Sequence, residues 1–416
     1  MLGSGSRYAR KMAPRAVRFR PPPLALAPAV RWMLLRAFGP VVAAPPPAAV
    51  DPGEALGLCR RFEIACRVAA RHGRARLAAE LGDEAAEGFV RDQAVAAGGG
   101  LRLVALAERV AAVAAPLGLP LVFLKFAALE LTGALAPGGR TACDVDVLAP
   151  AGRAAELQRA LAGAGFRAAQ LPSYEHQLAA MEGPDGVVEV HRMVLGVRVA
   201  GRRSATAGDL ERAGLLRPLT ALPGRAAAPL PAVAASHALV HGIAQHGWTP
   251  HANSLLRMLG DLVDLGFGGP DGAALAASAA LWTARDLAAA EVEAARRLCA
   301  ALAAGDDLGG WEASREGEAV LLRHVLAGLL DPAYERALRL APLRRQPSDA
   351  PQAVRLARAV AGTVWLSRAQ VDALYGPPRR RLGYLGRRLG RPLDLLARLG
   401  RAGLHAWRLR RRPQPH

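Results

Sequence analysis

Lysine is nearly absent from this 416-residue chain: of 54 basic residues only Lys11 and Lys125 are lysines, and the other 52 are arginines. Cysteine is almost as scarce, with Cys59, Cys66, Cys143 and Cys299 and no Cys-x-x-Cys pair. Four scattered thiols exclude a disulfide scaffold and fit a reducing compartment. No apolar run approaches the roughly 20 residues that span a bilayer. Pro21-Pro22-Pro23 falls where a signal peptide would have its apolar centre, so the expectation is a cytoplasmic protein. Repeats are missing too, which excludes a solenoid. Acidic residues are absent from residues 1–50, where eight basic residues give +8, and 376–416 holds twelve Arg against Asp394. The two ends thus account for the whole formal net charge of +19. The body between them is neutral and is no basic saddle for nucleic acid.

Against that background, residues 120–148 stand out. Leu121-Val-Phe-Leu124 reads as a strand ending at Lys125, followed by a helix over 126–135, a turn at Gly138-Gly139-Arg140, and a second strand with Asp144 and Asp146. Alternation along a strand puts both aspartates on one face and Val145 and Val147 on the other. Aligned carboxylates repel unless a cation sits between them, which points to a divalent metal; the competing reading is a pair that only solvates an exposed strand. Lys125 is a compact point charge in a chain that otherwise uses Arg, as a phosphate-binding lysine requires. Arg140 is a candidate for bidentate phosphate contact or a plain surface arginine. Gly138 and Gly139 would let backbone approach a phosphate. Further on, Val187-Val188-Glu189-Val190-His191 alternates again, so Glu189 and His191 share a face. A carboxylate from this neighbouring strand would complete a three-acid metal site. His191 would orient an acid, touch substrate or pack in the core.

The order Leu124-Lys125, Arg140, Asp144-x-Asp146, Glu189-x-His191 resembles the uncharacterised bacterial nucleotidyltransferase family of the polymerase-β-like superfamily. The resemblance covers about 55–395, with its specific motifs in 121–148, 187–191 and 237–264. Where that family usually reads Leu-Lys-Gly, this chain has Phe126 in place of the glycine, and Gly138-Gly139-Arg140-Thr141 replaces the superfamily's Gly-Ser signature. The resemblance implies transfer of a nucleoside monophosphate from a nucleoside triphosphate to an acceptor. Asp144, Asp146 and Glu189 would hold two Mg²⁺ ions, and Lys125, Gly138, Gly139 and Arg140 would bind the nucleotide. The acceptor, whether small molecule, sugar or peptide, is not legible, and nor is the base. Two rivals stand beside this reading: a silent nucleotide-binding protein, suggested by Phe126, and RNA or membrane-surface association through the Arg-rich tails. Nucleic acid is not the favoured acceptor, and no transmembrane segment is expected.

The remaining pattern is α+β: a small mixed sheet flanked by helices. Residues 1–50 read as a disordered basic leader and 51–118 as a helical region, with Gly98-Gly99-Gly100 separating its last helix. Cys59 and Cys66, two helical turns apart, are expected in the core. The nucleotidyltransferase core is expected over 119–200, a C-terminal helical domain over 201–375, and an Arg-rich tail over 376–416. Residues 201–230 are weakly patterned. His237 and His241 are four apart and share a helical face, either as zinc ligands do or packed against the cleft; His246 and His251 extend the cluster. Asp261, on a strongly amphipathic helix, is expected to bond a histidine or to contact the first domain, so His191, His241 and Asp261 form a second set behind the acids.

Overall fold

In this computed structural model the described residues are 27–41, 50–168, 176–199, 204–245 and 255–306, apart from positions 195, 285, 286 and 288, plus two short helical pieces near 385 and 389. Their architecture is a seven-stranded mixed sheet joined to a lobe of helices. That bears out the α+β expectation.

The first helix, α1 (Pro28–Phe38), lies inside the expected disordered leader and corrects it. Its apolar residues Trp32, Met33, Leu34 and Phe38 are fully buried. The carbonyls at its C-terminus, which no helical N–H can reach, are met by side chains of α3 (Ala65–Leu81). Arg67 Nε donates to Ala37 O at 2.8 Å, a ring nitrogen of His72 meets Arg36 O at 2.9 Å, and Arg71 reaches Gly39 O at 2.5 Å. Arg67 also forks onto Asp264 at 2.6 and 2.8 Å. Asp264 ends α9 (Leu255–Asp264), so one guanidinium ties three helices together. Between α1 and α3 runs α2 (Pro52–Arg61), capped by Asp51, whose carboxylate accepts from Glu54 N at 2.6 Å. Cys59 and Cys66 are both buried, on α2 and α3 respectively.

Helix α4 runs unbroken from Asp83 to Ala114, straight through Gly98-Gly99-Gly100. Each glycine costs about 1 kcal/mol in a helix, but burial at both ends outweighs it. Phe89 packs in the helical lobe, whereas Leu106 and Val110 pack under the sheet.

Seven strands follow in the order β3-β4-β5-β2-β1-β7-β6. They are β1 (Pro120–Phe123), β2 (Asp144–Leu148), β3 (Arg167–Ala168), β4 (Met181–Gly183), β5 (Gly186–His191), β6 (Leu216–Pro218) and β7 (Arg225–Pro229). Helix α6 (Ala154–Gly163) covers one face together with α4, over Leu121, Phe123, Val145, Val147, Val188 and Val190. The opposite face carries Val122, Leu124 and Leu148, packed on Val194, Val197 and α7 (Ala207–Arg212). Strand β7 pairs in parallel with β1, so residues assigned to a C-terminal helical domain in fact complete the sheet. The chain then returns to helices α8 (Pro231–Leu239), α9, α10 (Gly272–Thr283) and α11 (Ala289–Ala303), which share one apolar cluster with α1, α2 and α3. No helix among the described residues is long and apolar enough to cross a membrane.

Candidate active site

Parallel pairing of β2 with β5 sets the register Asp144↔Val187, Asp146↔Glu189, Leu148↔His191. Residues side by side in a parallel pair point to the same face, so Asp144, Asp146, Glu189 and His191 share one. Strand β1 stops at Phe123 rather than at Lys125, because Lys125 takes a left-handed φ of 48°. The turn starts α5 (Lys125–Leu131), shorter than the expected helix over 126–135. Left-handed backbone is strained for a residue with a Cβ, and here it delivers the ammonium to the acids. Lys125 Nζ lies 2.7 Å from Asp146 Oδ1.

Asp146 is the hub of the cluster. His191 Nε2 approaches the same Oδ1 at 2.8 Å and Glu189 Oε2 at 3.7 Å. Burial alone would raise the Asp146 pKa, but the Lys125 charge and the His191 hydrogen bond overturn that and hold it well below the usual carboxylate range. Burial would likewise lower Lys125 and His191; their acidic neighbours prevail and raise both. Asp144 differs, since burial and then the Asp146 charge push it up. It belongs to the other end of the face, within electrostatic reach of Arg140 and Arg257.

Among the described residues, Asp146, Glu189 and His191 form a group whose three ligand atoms all lie within 4.8 Å of one another. Two carboxylates and an imidazole make a donor set that suits a divalent cation. The expected trio therefore regroups, with His191 beside Asp146 and Glu189 while Asp144 lies outside the close group.

Arg140 is tethered rather than free on the surface. Its Nε is 2.7 Å from Asp261 Oδ1, a close ion pair not aligned as a hydrogen bond, and its guanidinium lies over the Phe126 ring at 5.4 Å. Phe126 is buried in the core beneath Arg140 and does not project into the acidic face. Asp261 thus meets the arginine, not a histidine. Gly138 and Gly139 are buried as well. A Cβ on Gly138 would sit 2.8 Å from Gln93 O on α4, and one on Gly139 2.9 Å from Ala136 O. Close packing leaves no room for a side chain at either position.

Residues outside the expected set also converge here. His176 stacks on His191 with ring centroids 5.6 Å apart. Arg257, on α9, pairs with Glu63 at 2.8 Å; its place four residues before Asp261 on an amphipathic helix was the signal available in the sequence. His237 is buried, and its ring lies 6.1 Å from that of His241. His246 and His251 lie outside the described residues, as does nearly all of the Arg-rich tail.

The buried histidines have a pH consequence. Burial pushes His237 down to about 3, His176 to about 4 and the half-buried His72 to about 4. Depressed folded-state values mean that the unfolded chain binds more protons below pH 6.5. Stability is then complete above that pH and is lost as pH falls toward 4. Each deeply buried imidazole costs up to about 1.4 kcal/mol per pH unit, and His72, screened by solvent, costs less. Asp144 and Asp261, raised by burial, oppose the trend only in the carboxylate range, and His191, raised by its acidic neighbours, opposes it only above pH 6.5. Urea midpoints are therefore expected to fall between pH 7 and pH 5, with a shallower fall for His237→Phe. A midpoint constant over that range would contradict the assignment.

A mixed sheet with an acid pair beside a third carboxylate and a lysine suits the chemistry of phosphoryl or nucleotidyl transfer. The sequence agrees: residues 48–300 match the family described as uncharacterised nucleotidyltransferase. With more than half of its length matched, the chain belongs to that family and is a transferase of phosphorus-containing groups. No curated protein and no solved structure matches it.

Proposed function

We propose that the protein is a Mg²⁺-dependent nucleotidyltransferase of the polymerase-β-like kind, moving a nucleoside monophosphate from a triphosphate to a hydroxyl-bearing or similar acceptor. The observation that carries this reading is the register that sets Asp146 beside Glu189 with Lys125 Nζ on the Asp146 carboxylate. Asp146, Glu189 and His191 would hold the metal, with Asp144 on the same strand face. When bound, a divalent ion would neutralise phosphate charge and favour the leaving pyrophosphate.

The chain's own groups supply the rest. Lys125, pinned near the acids by its turn, meets the phosphates as a compact cation. Arg140, held from below by Phe126 and from the side by Asp261, presents a guanidinium fixed in direction, which favours in-line positioning. Glu189 is partly exposed and accepts the acceptor's proton as its oxygen attacks the α-phosphorus and the bond to pyrophosphate breaks. His191 steadies Asp146 through a 2.8 Å hydrogen bond and stands 3.7 Å from Glu189. With the Phe126 ring stowed in the core, the ground for a silent enzyme is weakened.

The decisive experiment offers triphosphates labelled at the α- or the γ-phosphate to the full chain with Mg²⁺ and cell extract. Label from the α-position alone is expected in the acceptor, with γ-label in pyrophosphate. Transfer of γ-label instead would mean a kinase-type reaction and sink the reading.

A further inference from the structure

Helix α8 crosses the sheet face that bears the acids. Val233 packs in the cluster of Val122, Leu124 and Leu148, and one turn later the same side of the helix presents His237. That imidazole is 7% exposed and lies within electrostatic reach of Lys125, His191, Asp146 and His176. Among the described residues, neither of its ring nitrogens has a hydrogen-bond partner. Buried polar groups are nearly always satisfied, and an orphan asks for an explanation. Just beyond it the helix widens into a π-helical turn, Val240–Gln245, which carries His241; such turns recur at functional sites.

The chemistry of the missing partner can be narrowed. Lys125 already places a cation nearby, and burial disfavours the charged form of His237. A neutral imidazole has one N–H donor and one bare lone pair. The ionised oxygens of a nucleotide's α- and β-phosphates only accept, so they would leave the lone pair orphaned. A cation would take the lone pair but add charge beside Lys125. A hydroxyl both donates and accepts, and a molecule with several hydroxyls answers both nitrogens.

We infer that His237 is the binding residue for the acceptor and that the acceptor is an uncharged, polyhydroxylated molecule whose hydroxyl it seats beside Asp146. This rests on the nucleotidyltransferase reading of the same site.

The test uses the full chain with nitrogen-15 histidine, glycerol and D-glucose as hydroxylated probes, and inorganic phosphate as the anionic one. The His237 imidazole signal, identified by its loss in His237→Phe, is expected to move with the polyols and not with phosphate. Movement with phosphate alone, or with neither, overturns the inference. Turnover supplies a second readout. His237→Phe is expected to bind a non-hydrolysable triphosphate within about twofold of the parent while losing about tenfold in α-label transfer to glycerol, the equivalent of one hydrogen bond. His237→Gln, which keeps a donor and an acceptor, is expected to recover part of that loss. A parallel fall in triphosphate affinity would put His237 on the nucleotide and overturn the inference. If the parent chain transfers no label to any acceptor, the reaction reading fails, and the imidazole titration still decides the hydroxyl contact.

Discussion

Asp146→Asn is expected to lower α-phosphoryl transfer by about 10²–10³-fold, the usual cost of removing one preorganised electrostatic partner. It is also expected to cost about 3–5 kcal/mol of stability, because one partner of a buried ionic group is deleted while the others stay. Both effects arise from the same oxygen. Asp146 Oδ1 is 2.7 Å from Lys125 Nζ and 2.8 Å from His191 Nε2, and an amide cannot balance either charge. Lys125 would then sit desolvated beside fewer acids, and burial, now less opposed, would lower its affinity for a proton. The two effects separate experimentally. Thermal melting reports the stability loss, whereas transfer measured well below the melting temperature reports the loss of chemistry. Asp144→Asn is the informative comparison, since burial already pushes that carboxyl toward its neutral form and a neutral amide there costs less stability. Equal melting temperatures for Asp146→Asn and the parent would show that the Lys125–Asp146–His191 cluster does not stabilise the fold.

The strand alternation that aligns Asp144 with Asp146 and Glu189 with His191 was legible in sequence, because period two follows from backbone geometry whatever the tertiary context. The pairing partner was not. That β2 and β5 run in parallel, with Asp146 level with Glu189, depends on how the chain between them crosses over, and no local pattern encodes that. Lys125 was visible through its rarity, but its left-handed φ was not, since such strain is imposed by surrounding structure. Strand β7, Arg-Ala-Ala-Ala-Pro, was missed because alanine and proline disfavour strands; pairing along β1 overrides the propensity. The glycines at 138 and 139 misled in the opposite direction. A Gly-Gly pair beside an arginine suggests a phosphate loop, yet helix α4 crowds Gly138 and the carbonyl of Ala136 crowds Gly139, so neither position has room for a side chain. Arg257 comes from a distant helix, where sequence separation hides spatial convergence.

Trp32→Ala is expected to destabilise the chain by about 3–5 kcal/mol, the range for deleting a buried aromatic, although the residue sits where composition alone read disorder. An Arg- and Pro-rich segment argues for a solvated leader only while its apolar residues have nowhere to go. Here they have a destination. Trp32 is fully buried, packs against Phe89 with ring centroids 5.8 Å apart, and donates its Nε1–H to Glu80 at 3.0 Å. Glu80 also receives Arg36 at 2.8 Å and Arg76 at 3.0 Å, and these contacts lower its pKa despite its burial. Removing the ring therefore opens a cavity and takes one donor from a carboxylate that still has two. Trp32→Phe isolates the parts: it keeps most of the aromatic volume and forfeits the N–H, at about 1 kcal/mol. Urea denaturation of the three chains gives the comparison, and the order parent, Phe, Ala in falling midpoint is the expected result. Because α1 contacts α3, α9 and α11, its loss would loosen the helical lobe that carries Arg257 and Asp261 toward Arg140. The alanine variant is accordingly expected to weaken triphosphate binding at temperatures where it remains folded. Coincident midpoints for all three chains would return the segment to the status of a dispensable leader.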